Sequence, residues 1–158
     1  MELSQFVPFL LFLHVMGAIL AFGPTFAYSI MGSLAGREPQ HANFSTRQVV
    51  AISNGLSYPL AIVQGVTGVL LIMIADFDVK TLWLGLGIVL YVIALGYAFT
   101  VQRNALHRLV ELTASPPDPA TGPSPEIPAT VKKLQRGGMF LGALIVVIVF
   151  LMVVKPTF

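Results

Sequence analysis

The sequence contains no cysteine, and charged residues make up only 10% of its 158 residues. The absence of cysteine excludes disulfides, thiolate metal sites and cysteine nucleophiles. Hydrophobic residues reach 56%, above the roughly 45–50% that is usual in soluble domains. The net charge of +2 is small, and we predict no nucleic-acid partner. The composition therefore indicates a membrane protein.

Four long apolar runs lie at about residues 6–34, 48–75, 81–101 and 137–154. Crossing a bilayer as a helix takes about 20 apolar residues, and each run is long enough. We therefore predict an all-α bundle of four transmembrane helices, with residues 1–158 forming one integral membrane domain. The predicted location is the cell membrane, with several passes and with the lipid bilayer as surroundings.

The distribution of Lys and Arg predicts the orientation of these helices. An even number of spans places both termini on one side, together with Lys80 and Lys155. The opposite side carries Arg37, Arg47, Arg103, Arg108, Lys132, Lys133 and Arg136. Because cytoplasmic loops are enriched in Lys and Arg, we expect both termini on the outer side.

The third connection, at about residues 114–130, is rich in proline. Six prolines fall between Ser115 and Pro128. Proline lacks the backbone N–H that helices and sheets require, so the pattern predicts an extended cytoplasmic loop.

Small residues at helical spacing predict how the helices meet. In lipid, helices pack through small and polar residues, because apolar bulk gains nothing against lipid tails. Gly138 and Gly142 form a G-x-x-x-G in the fourth run. This motif fits the bundle centre or a dimer face equally well, and we expect a homo-oligomer or a larger membrane complex.

His14 is the one readily titratable side chain within the apolar runs. At 1.5 Å per residue it lies roughly 12 Å below the outer boundary. Counting from the outer ends of the second and third runs places Gln64 and Tyr91 at a comparable depth. We therefore predict one polar layer of these three residues, and an ionisable group at this depth marks a candidate functional site.

Three roles for His14 are open from the residues alone. It can hydrogen-bond to Gln64 or to a carbonyl and hold two helices together. It can ligate haem b, because imidazole is the commonest axial ligand and Gly17, Ala18 and Ala21 leave a flat strip beside it. It can also handle protons or a metal ion, which makes His14 the candidate metal ligand.

Several short segments resemble known membrane families. Leu13–Ala18, Phe22–Phe26 and Gln64–Gly68 resemble an uncharacterised bacterial family of predicted four-helix integral membrane proteins of unknown function. The Leu-His-x-x-Gly start also resembles the copper-resistance protein D family and the HemJ-type protoporphyrinogen oxidase family. The second of these likenesses implies a haem-binding role for His14, although the intramembrane lysine of that oxidase family has no counterpart here.

These observations lead to one functional hypothesis and two alternatives. The first is a small integral membrane protein that binds haem b through His14, as an accessory or electron-transfer component. The second is a small-solute or ion transporter whose first two helices, kinked at Pro24 and Pro59, line the path. The third is a structural or assembly subunit of a membrane complex. The sequence leaves enzymatic activity undecided and favours none.

Overall fold

The computed structural model describes residues 3–115 and 122–156. Within them lie six α-helices: α1 (Val7–Arg37), α2 (Ala42–Ile52), α3 (Tyr58–Ile74), α4 (Leu82–Tyr97), α5 (Arg103–Leu112) and α6 (Glu126–Val154). Wide π-helical turns join α2 to α3 and α4 to α5, so the helices form four continuous rods. All four rods are long and apolar enough to cross a membrane. The predicted all-α fold with four spans is confirmed.

The four rods pack in a ring. The first rod (α1) packs along the second (α2 and α3), and the third rod (α4 and α5) packs along the fourth (α6). The second and third rods meet where α2 contacts α5, and the fourth rod contacts the first, which closes the ring. Small buried residues such as Gly17, Ala21 and Ala61 lie on the inner faces of the first two rods. This is the packing expected in lipid, where close backbone approach is favoured over bulky apolar contact.

The end of the bundle that lies near both termini, which we call the outer end after the predicted orientation, has a small aromatic and aliphatic core. Trp83, Leu84 and Leu151 are buried there, and the ring of Phe77 meets Trp83 edge-on with centroids 5.9 Å apart. The Lys155 ammonium lies 5.3 Å from the centroids of both rings. Cation–π attraction thus fixes the C-terminal end of α6 over this core.

The opposite end, which we call the basic end because it carries the seven Lys and Arg residues given above, extends beyond the bilayer. Rods of 29 to 36 residues span about 43–54 Å at 1.5 Å per residue, against a hydrocarbon core of about 30 Å. The extension has its own packed interior, formed by Val49, Ala105, Leu106 and Leu109. The helices therefore continue as a small bundle on the basic side.

The connection between α5 and α6 is shorter than the predicted loop at about 114–130. Residues 116–121 lie outside the described part of the chain, whereas residues 126–130 are already helical. The prediction of an extended segment therefore fails at this end. Pro128 occupies the first turn of α6, where a backbone N–H has no partner within the helix in any case, so proline is tolerated.

The two π turns, Ser53–Ser57 and Ala98–Gln102, have different causes. Pro59 cannot donate to the carbonyl of Gly55, and the wide turn just before it lets the Tyr58 N–H donate to the Ser53 carbonyl. The second turn contains no proline. There the Thr100 hydroxyl donates to the Gly96 carbonyl at 2.7 Å, occupying the acceptor that a regular helix would offer to the Thr100 N–H.

The two π turns touch one another. The rings of Tyr58 and Phe99 lie 4.7 Å apart, and the Tyr58 hydroxyl lies 3.5 Å from the Ala98 carbonyl to which it donates. Both departures from regular helix therefore fall at one level, where the spans pass into the extension at the basic end.

The predicted orientation can be tested directly, because the chain contains no cysteine. Lys80 lies in the exposed turn at the outer end, and His107 is exposed on α5. We expect a membrane-impermeant maleimide to label Lys80→Cys in intact cells and to label His107→Cys only after permeabilisation. The reverse pattern would place the termini in the cytoplasm.

Candidate functional site

His14 on α1 contacts α3 through both of its ring nitrogens. Its Nδ1 lies 2.8 Å from the Thr67 hydroxyl, and its Nε2 lies 2.9 Å from the Gln64 amide nitrogen. Since that amide donates to Nε2, the imidazole hydrogen is on Nδ1 and is donated to Thr67. The Thr67 hydroxyl in turn donates to the Val63 carbonyl at 3.0 Å. We call His14, Gln64 and Thr67 the His14 cluster.

Helical spacing and two glycines bring the His14 cluster together. Gln64 and Thr67 are three residues apart and so share one face of α3. A Cβ added to Gly68 would lie 3.3 Å from the His14 Cε1 atom, and one added to Gly17 would lie 3.0 Å from the Gln64 Oε1 atom. The missing side chains therefore let the imidazole and the amide lie directly against the opposite helix.

Gln64 is 8% exposed, and its Oε1 atom has no conventional hydrogen-bond donor in the described part of the chain. The group facing that oxygen is the Gly17 Cα–H. Contacts of this kind recur at close helix–helix interfaces and are weaker than N–H donation. The amide is thus held mainly by its single bond to His14.

Tyr91, the third residue of the predicted polar layer, bonds elsewhere. Its hydroxyl donates to the Ala61 carbonyl at 2.6 Å, and a Cβ on Gly65 would lie 2.7 Å from that hydroxyl oxygen. Tyr91 also helps to line an open groove of about 390 Å³ between α3 and α4, whose other residues are Ile62, Gly65, Val66, Val69, Leu70 and Leu95. The structure therefore brings His14 and Gln64 together and uses Tyr91 as a separate link between α3 and α4.

A second polar cluster lies near the basic end and was not predicted as a unit. The Ser53 hydroxyl donates to the Tyr28 hydroxyl at 3.2 Å, and Tyr28 lies 3.4 Å from the Ser57 hydroxyl. In the sequence, Tyr28 and Ser57 lie at helical spacing with the small and polar residues of their apolar runs. This spacing is the sequence signal that could have identified the cluster. Between this cluster and His14 lies Ala21, only 1% exposed, so close apolar packing separates the two polar clusters.

The surroundings of His14 do not fit a haem iron or another metal as they stand. The Nε2 atom faces Gln64, so ligation requires that this amide move away. Gly17 and Ala21, predicted to border an open strip, are buried on the inner face of α1, and Ala18 is half-buried beside them. Over the described ranges, His, Asp and Glu form no group of three that would share a metal with His14.

At the basic end, Arg108 forms a paired ion contact. It binds the Glu126 carboxylate through Nε at 2.9 Å and Nη2 at 2.8 Å, and it binds Glu111 through Nη1 at 3.0 Å. These bonds raise the pKa of Arg108, and the Arg108 guanidinium lowers the pKa of Glu126. The pair ties the start of α6 to α5.

This contact predicts a pH dependence. Because the pKa of Glu126 is lower in the folded chain than its ordinary value of 4.5, its contribution is present above about pH 4.5 and is lost as the pH falls through the lowered value. We expect Glu126→Gln to lower Tm slightly at pH 7, since both groups are exposed to solvent. The difference from wild type should shrink as the pH falls below about 4.5. A difference that does not shrink on acidification would contradict an ionic origin.

Comparison with protein families matches residues 8–156 to a family described as a predicted integral membrane protein, DUF2269. The chain belongs to this family. Its membership agrees with the four apolar rods, and the DUF2269 protein is an integral membrane protein of the cell membrane. No curated protein and no solved structure matches the chain. The likeness to the copper-resistance protein D and HemJ-type families is not shown and stays a prediction.

Proposed function

We propose that this DUF2269 protein is an accessory component of a larger membrane assembly. Its helical surfaces would contact the other members of that assembly. The observation that carries the proposal is the open backbone at Gly138 on the surface of α6, while the engagement of both His14 nitrogens by α3 argues against a ligand site there. With neither nitrogen free, the His14 cluster serves to hold the first two rods together. Axial ligation of haem b by His14, the hypothesis first favoured by the sequence, requires breaking that link.

The outer surface of α6 supports an assembly role. Within the G-x-x-x-G motif, a Cβ on Gly142 would lie 3.7 Å from Phe26, inside the contact with α1, whereas a Cβ on Gly138 would have no neighbour within 4 Å. Half of the motif is thus used inside the bundle, and the other half leaves backbone open at the surface. Open glycines allow another helix to approach closely in lipid.

The test uses the full chain at its native expression level, solubilised in mild detergent and separated by native electrophoresis. We expect the wild type to migrate in a complex larger than one chain, and Gly138→Leu to release it. Met139→Leu is the matched control, because Met139 is 68% exposed and the change preserves its apolar character. Migration of the wild type as a single chain would overturn the proposal.

A second measurement separates assembly from haem binding. The visible spectrum is recorded for the purified wild type and His14→Ala after haemin is added. We expect no Soret band that depends on His14. A band present in the wild type and lost in the variant would restore the haem hypothesis and show that Gln64 can give up the imidazole.

A further inference from the structure

The basic end carries an excess of positive charge that the protein does not neutralise. In the described part of the chain, seven Lys or Arg residues stand there against Glu38, Glu111 and Glu126, and the sequence of the connection between α5 and α6 adds Asp118. Among the residues that the structure describes, the only ion pairs are those of Arg108 with Glu111 and Glu126. The carboxylates of Glu111 on α5 and Glu126 on α6 are therefore already engaged by one arginine.

The other six cations lie on helices that belong to all four rods. All are exposed, and they are Arg37, Arg47, Arg103, Lys132, Lys133 and Arg136. Their helices are packed together by the buried interior of the extension, so exposed positive charges stand on all four sides of the bundle. We call these residues the cationic ring.

The depth of the cationic ring coincides with one edge of the bilayer. Arg103 lies 21 residues beyond Leu82, and Arg136 lies 18 residues before Val154. At 1.5 Å per residue these lengths are about 32 and 27 Å, close to the hydrocarbon thickness of about 30 Å. By the same count from the ends of their helices, Lys132 and Lys133 lie at about 32–33 Å, and Arg47 and Arg37 lie at about 41–45 Å, at the level of lipid headgroups or beyond.

We propose that the cationic ring binds the anionic headgroups of phospholipids in the adjoining leaflet. A headgroup phosphate with net negative charge supplies what the protein lacks, acceptors for exposed guanidinium and ammonium groups on the side where they emerge from the hydrocarbon. Arg108 contributes little, because Glu111 and Glu126 already occupy its donors. This proposal is independent of the accessory role, since it rests on the charges at the basic end and not on His14.

The test measures Tm of the full chain in neutral detergent during titration with phosphatidylglycerol or phosphatidylcholine, at 50 and 500 mM NaCl. We expect phosphatidylglycerol to raise Tm at low salt, phosphatidylcholine to have little effect, and high salt to weaken the response. The apparent affinity for phosphatidylglycerol should fall about fivefold for each ring charge removed, first in Arg103→Gln and then in Arg103→Gln/Arg136→Gln.

Lys80→Gln is the matched control, because it removes one exposed positive charge at the outer end. It should leave the titration unchanged, and an equal weakening would overturn the proposal in favour of general attraction. Equal responses to the two lipids would also overturn it. Inorganic phosphate at matched ionic strength forms the last arm, and a rise in Tm equal to that with phosphatidylglycerol would replace a lipid site with a small-anion site.

Discussion

Replacing His14 with alanine is expected to lower the free energy of unfolding by about 2–4 kcal/mol. The variant leaves a cavity where the imidazole was and removes the hydrogen-bond partner that the buried Gln64 amide has within the described residues. Thr67 suffers less, because its hydroxyl still donates to the Val63 carbonyl. An unpaired amide in the bilayer interior has no water to replace the lost partner. The measurement is thermal or denaturant unfolding in detergent.

The matched control is Leu13→Ala, one residue earlier on α1. Leu13 is 42% exposed on a helix surrounded by lipid, so its truncation removes little contact within the protein. We expect a change of less than about 1 kcal/mol. Equal losses in the two variants would show that the His14 cluster has no special part in stability.

A double variant distinguishes the loss of polar pairing from the loss of volume. His14→Leu alone leaves the Gln64 amide without a partner, whereas His14→Leu/Gln64→Leu removes the amide as well. Replacing both partners of a buried hydrogen bond with apolar groups is often nearly neutral. We therefore expect the double variant to be more stable than His14→Leu. If instead the two losses add, the packing of the imidazole matters more than its hydrogen bonds.

The fold could be predicted because it follows from length and apolarity, which each segment carries in its own residues. Pro59 likewise predicts a departure from regular helix, because proline has no backbone N–H to donate. The π turn at Ala98–Gln102 has no comparable signal in the sequence, because its Thr100 is a residue type that also occurs in many regular helices. It could not be foreseen without knowing that Tyr58 of the second rod meets Ala98 and Phe99.

The candidate site was predictable only in part, for the same reason. Counting residues places His14 and Gln64 at one depth, and the structure sets them 2.9 Å apart. Counting residues gives the depth of a side chain but not the rotation of its helix about the helix axis. It could therefore not show that the Tyr91 hydroxyl donates to the Ala61 carbonyl. Thr67 could have been found, because it lies three residues after Gln64 on the same face.

The second large effect is expected at Gly137, where the third and fourth rods cross at the edge of the bilayer. A Cβ added there would collide with the Gln102 Oε1 atom and would lie 2.8 Å from the Tyr97 hydroxyl oxygen. Gln102 cannot retreat without losing its 3.1 Å donation to the Leu134 carbonyl. We expect Gly137→Ala to lower the free energy of unfolding by about 1–3 kcal/mol, as overpacking usually does.

The neighbouring glycine makes the comparison sharp. A Cβ on Gly138 would meet nothing within 4 Å, so Gly138→Ala should raise stability by about 0.4–1 kcal/mol through its lower unfolded-state entropy. Both variants add the same methyl group to adjacent positions of α6, and helix propensity favours both equally. An opposite sign of the two changes in Tm would therefore report the contact with Gln102 and Tyr97 alone. Equal changes would mean that these two side chains yield freely, and that Gly137 is not needed for the close approach of the rods.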